Sequence, residues 1–294
     1  MLTSDLTLAD CLPHDLPWDK TAALLLDGVS VEKLPRQLYT WSDSPDFEPL
    51  YLGTRWSALS DLSPCLIRVK DQRDPILQQF LAHADKEWGY LLFSDQPWSA
   101  LLDHCRWLTC VEHPQGTEVL LRLADPAVMH ALLMHATNLE DPTMWGPSYQ
   151  ILTADAALGC WHHHPRPAKA YVNSYAKQYR LSNVQIDLLD EVNFRSVVMR
   201  LDRHMEEYFP VFQSQLKPLE RWKYLNELAN QSYKRGFCSE LDITLYANIH
   251  GFLGITALAD HRDLDVLLET TSERTPTQRL EHVASIAKDR AESL

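Results

Sequence analysis

The feature that most constrains this chain is a series of short, almost uninterrupted apolar runs, at residues 22–26 (AALLL), 65–69 (CLIRV) and 89–93 (GYLLF). Such runs match the length of a buried strand and are too short for a core helix. Residues 49–52, 109–111 and 118–123 are further candidate strands. Between the runs the spacing changes to helical. Ile76, Leu77, Phe80 and Leu81 share one face behind Pro75, and Trp98, Leu101, Leu102 and Cys105 share another behind Pro97, with proline in the first turn of each helix. Strands alternating with short helices predict crossover units, hence an α/β lobe with a mixed, partly parallel sheet.

The texture changes after residue 160. Val184, Leu188, Val192, Val197, Leu201, Met205 and Tyr208 keep helical spacing over a long amphipathic stretch. Pro218 opens a second helix, with Trp222, Leu225, Ala229 and Tyr233 on one face and Gly236 as its stop. Ser239 and Asp242 stand at capping-box spacing before a third, which runs through Leu245, Ile249 and Phe252, and Thr275-Pro276 opens a last one carrying Leu280, Val283 and Ala287. The expected organisation is therefore an α/β lobe at 1–160, a proline- and histidine-rich connector at 161–169, and an all-helical lobe at 170–294. Charge follows the same division: the first 160 residues hold 10 Lys/Arg against 22 Asp/Glu, the remainder 17 against 18.

The net charge of −13 argues against nucleic acid as a partner, because displacing phosphate counterions needs Lys and Arg. The acidic first twenty residues lack the basic and apolar regions of a secretory signal, and no apolar run approaches membrane-spanning length; the expectation is a cytoplasmic chain with no membrane contact. The six cysteines form no CxxC pair and read as reduced, mostly buried thiols.

Catalytic motifs are sparse. Nine glycines, none adjacent or one residue apart, cannot supply a Walker loop or a GxGxxG turn. GxSxG and HExxH are lacking, and His204-Met-Glu206 has no PCxxC after it to complete a zinc deaminase signature. In an extended chain ahead of Pro165, His162 and His164 point the same way, but two ligands do not close a zinc site; no metal and no cofactor are expected, and the run reads as a polar connector. Eight of the nine tryptophans precede residue 162; most are expected in the core, with some free to anchor a protein partner.

One charged pair interrupts an apolar run. Residues 118–123 suit a central strand covered on both faces, in which Arg122 would be buried and would need a carboxylate; Asp125 is the nearest in sequence. Asp125 is also a preferred N-cap and Pro126 a preferred first helical residue, so the pair starts a helix without any catalytic role. The alternative is an enzyme of unrecognised class using Arg122 and Asp125, or a metal at the histidine run.

Taken in order, Leu50-Tyr51-Leu52-Gly53-Thr54, Ser63-Pro64-Cys65-Leu66-Ile67, Trp88-Gly89 with Leu91-Leu92-Phe93-Ser94, Val119 to Pro126, and Trp145-Gly146-Pro147 resemble the adaptor-chaperone family of bacterial type VI secretion, a family catalogued as a domain of unknown function. The resemblance covers residues 20–155, and the helical half is similar to the extension such adaptors carry. It implies a non-enzymatic protein that binds a toxic effector in the cytoplasm and helps load it onto the VgrG spike, often with a PAAR tip. The residues it singles out as family-motif or partner-binding positions are Arg122, Asp125, Pro126, Trp88 and Trp145. Two departures stand out. The family's arginine-phenylalanine-tyrosine-aspartate-proline-arginine core is here Arg122-Leu-Ala-Asp125-Pro126-Ala127, so the second arginine is missing, and its glycine-proline-tryptophan is here Ser63-Pro64-Cys65.

Overall fold

The computed structural model describes residues 7–172, 175–270 and 273–293. The chain divides into two compact units, Met1–Val192 and Asn193–Leu294.

The first unit contains, in chain order, β1 (Thr21–Leu26), α1 (Leu34–Trp41), β2 (Phe47–Pro49), β3 (Cys65–Val69), α2 (Pro75–Ala82), β4 (Gly89–Ser94), α3 (Trp98–Leu108), β5 (Cys110–Glu112), β6 (Glu118–Leu120), α4 (Pro126–Asn138), β7 (Ser148–Asp155), β8 (Cys160–Pro165) and β9 (Tyr179–Arg180). Among the described residues the main sheet has the order β2-β3-β1-β4-β7-β8, and every neighbouring pair in it is antiparallel. The expectation of a partly parallel sheet is met only in a small second sheet, β6-β5-β9, where β5 and β9 run parallel. The reason is topological. β3 and β4 both pair with β1 from opposite sides, so they run in the same direction and α2 is a genuine crossover between them, yet β1 lies in between and no parallel ladder forms.

Burial on both faces explains the uninterrupted apolar runs. Ala23, Leu25, Tyr90 and Leu92 point to a core shared with α3 and α4, where Leu101, Leu132 and Trp145 are buried. Their alternates Leu24, Leu26, Leu91 and Phe93 point to a second core with Leu34, Leu77 and Phe80 of α1 and α2. A strand buried on both sides loses the polar alternation that marks a half-exposed one.

Four expectations are corrected. Residues 160–165 are β8, an edge strand of the main sheet, so the stretch 161–169 is not simply a connector; β8 pairs with β7 from Gln150↔Pro165 to Asp155↔Cys160. The units accordingly divide at 192 rather than near 160, and β9 belongs with the first unit by pairing with β5. The strand at 118–123 ends at Leu120 and lies at the edge of the small sheet, not in the centre of the large one. Of the six free thiols, only Cys65 and Cys105 are buried, while Cys11 and Cys238 are exposed.

α5 (Asn183–Tyr208) contributes its later turns to the second unit, with α6 (Pro218–Lys234), α7 (Glu240–Leu253), α8 (Ala257–Asp260), α9 (Arg262–Glu269) and α10 (Pro276–Glu292). Among its described residues this unit has helices and no strand, packed around Val198, Leu201, Leu225, Phe237, Ile243, Leu264 and Val283. The capping box forms as the spacing predicts: Asp242 N donates to Ser239 Oγ at 3.1 Å, and Ser239 N donates to Asp242 Oδ2 at 3.2 Å. No helix among the described residues is long and apolar enough to cross a membrane.

Candidate functional site

Leu26, the last residue of β1, faces Cys65 of β3 on one side and Gly89 of β4 on the other. The segments that follow β1 and precede β3 and β4 therefore meet at one end of the main sheet. Asp27 N donates to Trp88 O at 2.8 Å, Tyr51 N donates to Ser63 Oγ at 3.0 Å, and Leu50 N donates to Pro64 O at 2.9 Å. Gly28 is required by the closeness of this junction, because a Cβ there would lie 2.4 Å from Ser63 O.

Arg122 reaches this junction from beyond β6. Its guanidinium donates to Asp27 Oδ2 at 2.9 Å and pairs with Asp125 Oδ2 at 3.3 Å. The sequence-nearest carboxylate is thus a partner, and a second, 95 positions away, holds the arginine to the sheet. Asp27 itself is 6% exposed. Its Oδ1 accepts from Val29 N at 3.2 Å and its Oδ2 from Ser30 Oγ at 2.8 Å. Asp125 caps α4, its Oδ1 accepting from Ala127 N at 3.0 Å and Val128 N at 3.2 Å. Arg122 is not buried as expected. Its side chain is 49% exposed, because β6 has already ended and the sheet edge leaves one side of the guanidinium open.

The electrostatics are those of a fixed cation. Burial works against the charge of Arg122, but Asp125 and then Asp27 outweigh it, so the guanidinium stays charged with its pKa raised. Tyr51, buried beside them, has its phenol pushed up to about 12, chiefly by burial and then by Asp27. Every carboxylate oxygen of Asp27 and Asp125 is engaged by a protein donor or by the guanidinium.

The other singled-out residues have different positions. Pro126 is the buried first residue of α4. Trp88 is partly buried at the junction, stacked between Trp41 at 5.8 Å and His83 at 4.6 Å. Trp145 is fully buried and its Nε1 donates to His164 O at 2.9 Å, so it offers no surface to a partner. It lies at the opposite end of the main sheet, because Ser148, three residues on, pairs with Ser94 at the far end of β4. The residue missed by sequence reasoning is Asp27; an aspartate-glycine pair directly after an apolar strand was the available signal.

The histidine run is the second cluster. Its alternation along β8 holds: His163 is exposed, while His162 and His164 share a face. His130 of α4 joins them, its Nδ1 3.2 Å from His164 Nε2 and its ring stacked on His162 at 3.9 Å. His162 Nε2 lies 3.1 Å from Asp155 Oδ2. Burial first, and then the neighbouring imidazoles, lower the His164 pKa to about 3, so this ring stays neutral at physiological pH. Among the described residues no group of three or more His, Cys, Asp or Glu side chains is arranged to hold a metal ion.

The junction around Arg122 brings together residues of several motif segments. Residues 24–141, which include Asp27, Arg122 and Asp125, match the family described as Domain of unknown function (DUF4123). The chain is also 28% identical over 278 residues to "Accessory protein VasW" of Vibrio cholerae serotype O1, an alignment spanning 92% of this chain and 88% of that protein. Both findings bear out the family resemblance carried by the motif series. No solved structure matches the chain.

Proposed function

We propose that the protein is a non-enzymatic cytoplasmic adaptor that binds a type VI effector and helps load it onto the VgrG spike, with or without a PAAR tip. The observation that carries this reading is the meeting of four separated motif segments at one junction, which also holds the half-exposed, charged guanidinium of Arg122. Arginine is enriched at protein interfaces because its planar donors recognise carboxylates and carbonyls while its stem packs on apolar surface. Exposed aliphatic side chains belong to the same segments: Val29 follows Asp27-Gly28, Leu52 follows Tyr51, and Leu62 precedes Ser63. Asp27 and Asp125 are occupied in holding the guanidinium and in local backbone turns, which favours binding over the alternative of an Arg/Asp enzyme. The likeness to an accessory protein along nearly the whole chain supports the same role.

The experiment is co-expression with a VgrG and candidate type VI effectors from the same genome. The expected outcome is co-purification of at least one of them at equimolar ratio and low ionic strength; recovery of the chain alone contradicts the proposal.

A further inference from the structure

The helical unit contains a cavity of about 640 Å³ between the end of α6, the later turns of α7, and α8–α9. Its chemistry is unlike that of the chain as a whole. Lys234, Arg235 and Arg262 line it against a single acid, Asp265, in a protein of net charge −13. Arg235 is occupied by Asp265 and by Glu269, the latter at 3.2 Å. Lys234 and Arg262 have no side-chain ion pair or hydrogen bond among the described residues, so two cations face the cavity uncompensated. Ile255, 56% exposed, and Leu258 add an apolar wall.

His250, only 6% exposed, lines the same cavity with its ring beside the backbone of Gly254 and Ile255.

We propose that this cavity is a docking site for an acidic, partly apolar peptide segment of a protein partner, with a carboxylate held between Lys234 and Arg262 and an adjacent aliphatic side chain on Ile255 and Leu258. The inference shares with the adaptor reading only the premise of a protein partner. It concerns a different unit of the chain, and its test needs neither effector nor spike.

The test is fluorescence anisotropy on the full-length protein with a labelled peptide of alternating glutamate and leucine, the same peptide with glutamine in place of glutamate, and inorganic phosphate as competitor. The expected result is salt-sensitive binding of the glutamate peptide, at least about tenfold weaker binding of the glutamine peptide, and a similar loss in Lys234→Glu/Arg262→Glu, whose exposed side chains leave the fold intact. Should that double variant lose its helical signal, Lys234→Gln alone serves the same comparison. Arg122→Glu is expected to bind the peptide as the wild type does, which separates this site from the junction in the first unit. The proposal is overturned if the glutamate peptide does not bind at low ionic strength, if the charge-reversed variant binds it equally well, or if phosphate binds the cavity and the peptide does not.

Discussion

Gly89→Ala is expected to destabilise the protein by about 3 kcal/mol or more, the upper range for forcing atoms into a closed core. Gly89 sits opposite Leu26 at the start of β4, and a Cβ there would fall 1.9 Å from Leu25 O, a backbone atom of the adjacent central strand. No side-chain rotation relieves that overlap, so β1 and β4 must separate. The disturbance reaches the site at once, because Asp27 N donates to Trp88 O, one residue from the substitution. Urea unfolding is expected to show a much lower midpoint. A midpoint equal to that of the wild type would mean that β1 and β4 do not pair in this register.

Acidification from pH 7 to pH 5 is expected to remove about 4 kcal/mol of stability from the first unit, about 2 kcal/mol for each of two buried imidazoles. His104, 2% exposed, has its pKa lowered to about 4 by burial, partly offset by its contact with Met144 O at 3.3 Å. His164, 3% exposed, is lowered to about 3. Both folded values lie below the ordinary value of 6.5. Below that value the unfolded chain binds protons that the folded chain refuses, so their contribution is complete above pH 6.5 and is lost as pH falls towards 4 and 3. Carbon-13 NMR of labelled histidine is the direct check: both rings are expected to remain neutral at pH 5. Titration of His104 or His164 near pH 6.5 would contradict their burial.

Legibility in the sequence depended on how local each cause was. The helix starts at Asp125-Pro126, Ser239 and Thr275-Pro276 were readable because capping is settled within four residues. The strands at 65–69 and 89–93 were readable because burial on both faces leaves a continuous apolar run. Strand direction was not, since a crossover helix fixes the sense of β3 and β4 but not which strand lies between them. β8 escaped notice because an edge strand tolerates histidine and proline, the composition of a connector. For the site, the Arg122–Asp125 pair was local and legible, whereas Asp27 depended on tertiary pairing across 95 positions. The exposure of Arg122 followed from where β6 ends, and end residues are the least determined by local pattern.

In the proposed adaptor role Arg122 faces a protein partner while Asp27 and Asp125 hold it in place. The measurement that tests it most directly is retention of the co-expressed effector or spike by Arg122→Glu relative to wild type, read together with urea stability. Loss of the arginine leaves Asp27 with Val29 N and Ser30 Oγ, so truncation to alanine is expected to cost only about 1–2 kcal/mol, given the exposure of the guanidinium. Charge reversal adds repulsion from Asp27 and Asp125 yet should leave a folded protein at pH 7. The account predicts that Arg122→Glu folds and retains no partner; a folded Arg122→Glu that retains the partner as fully as the wild type would contradict it.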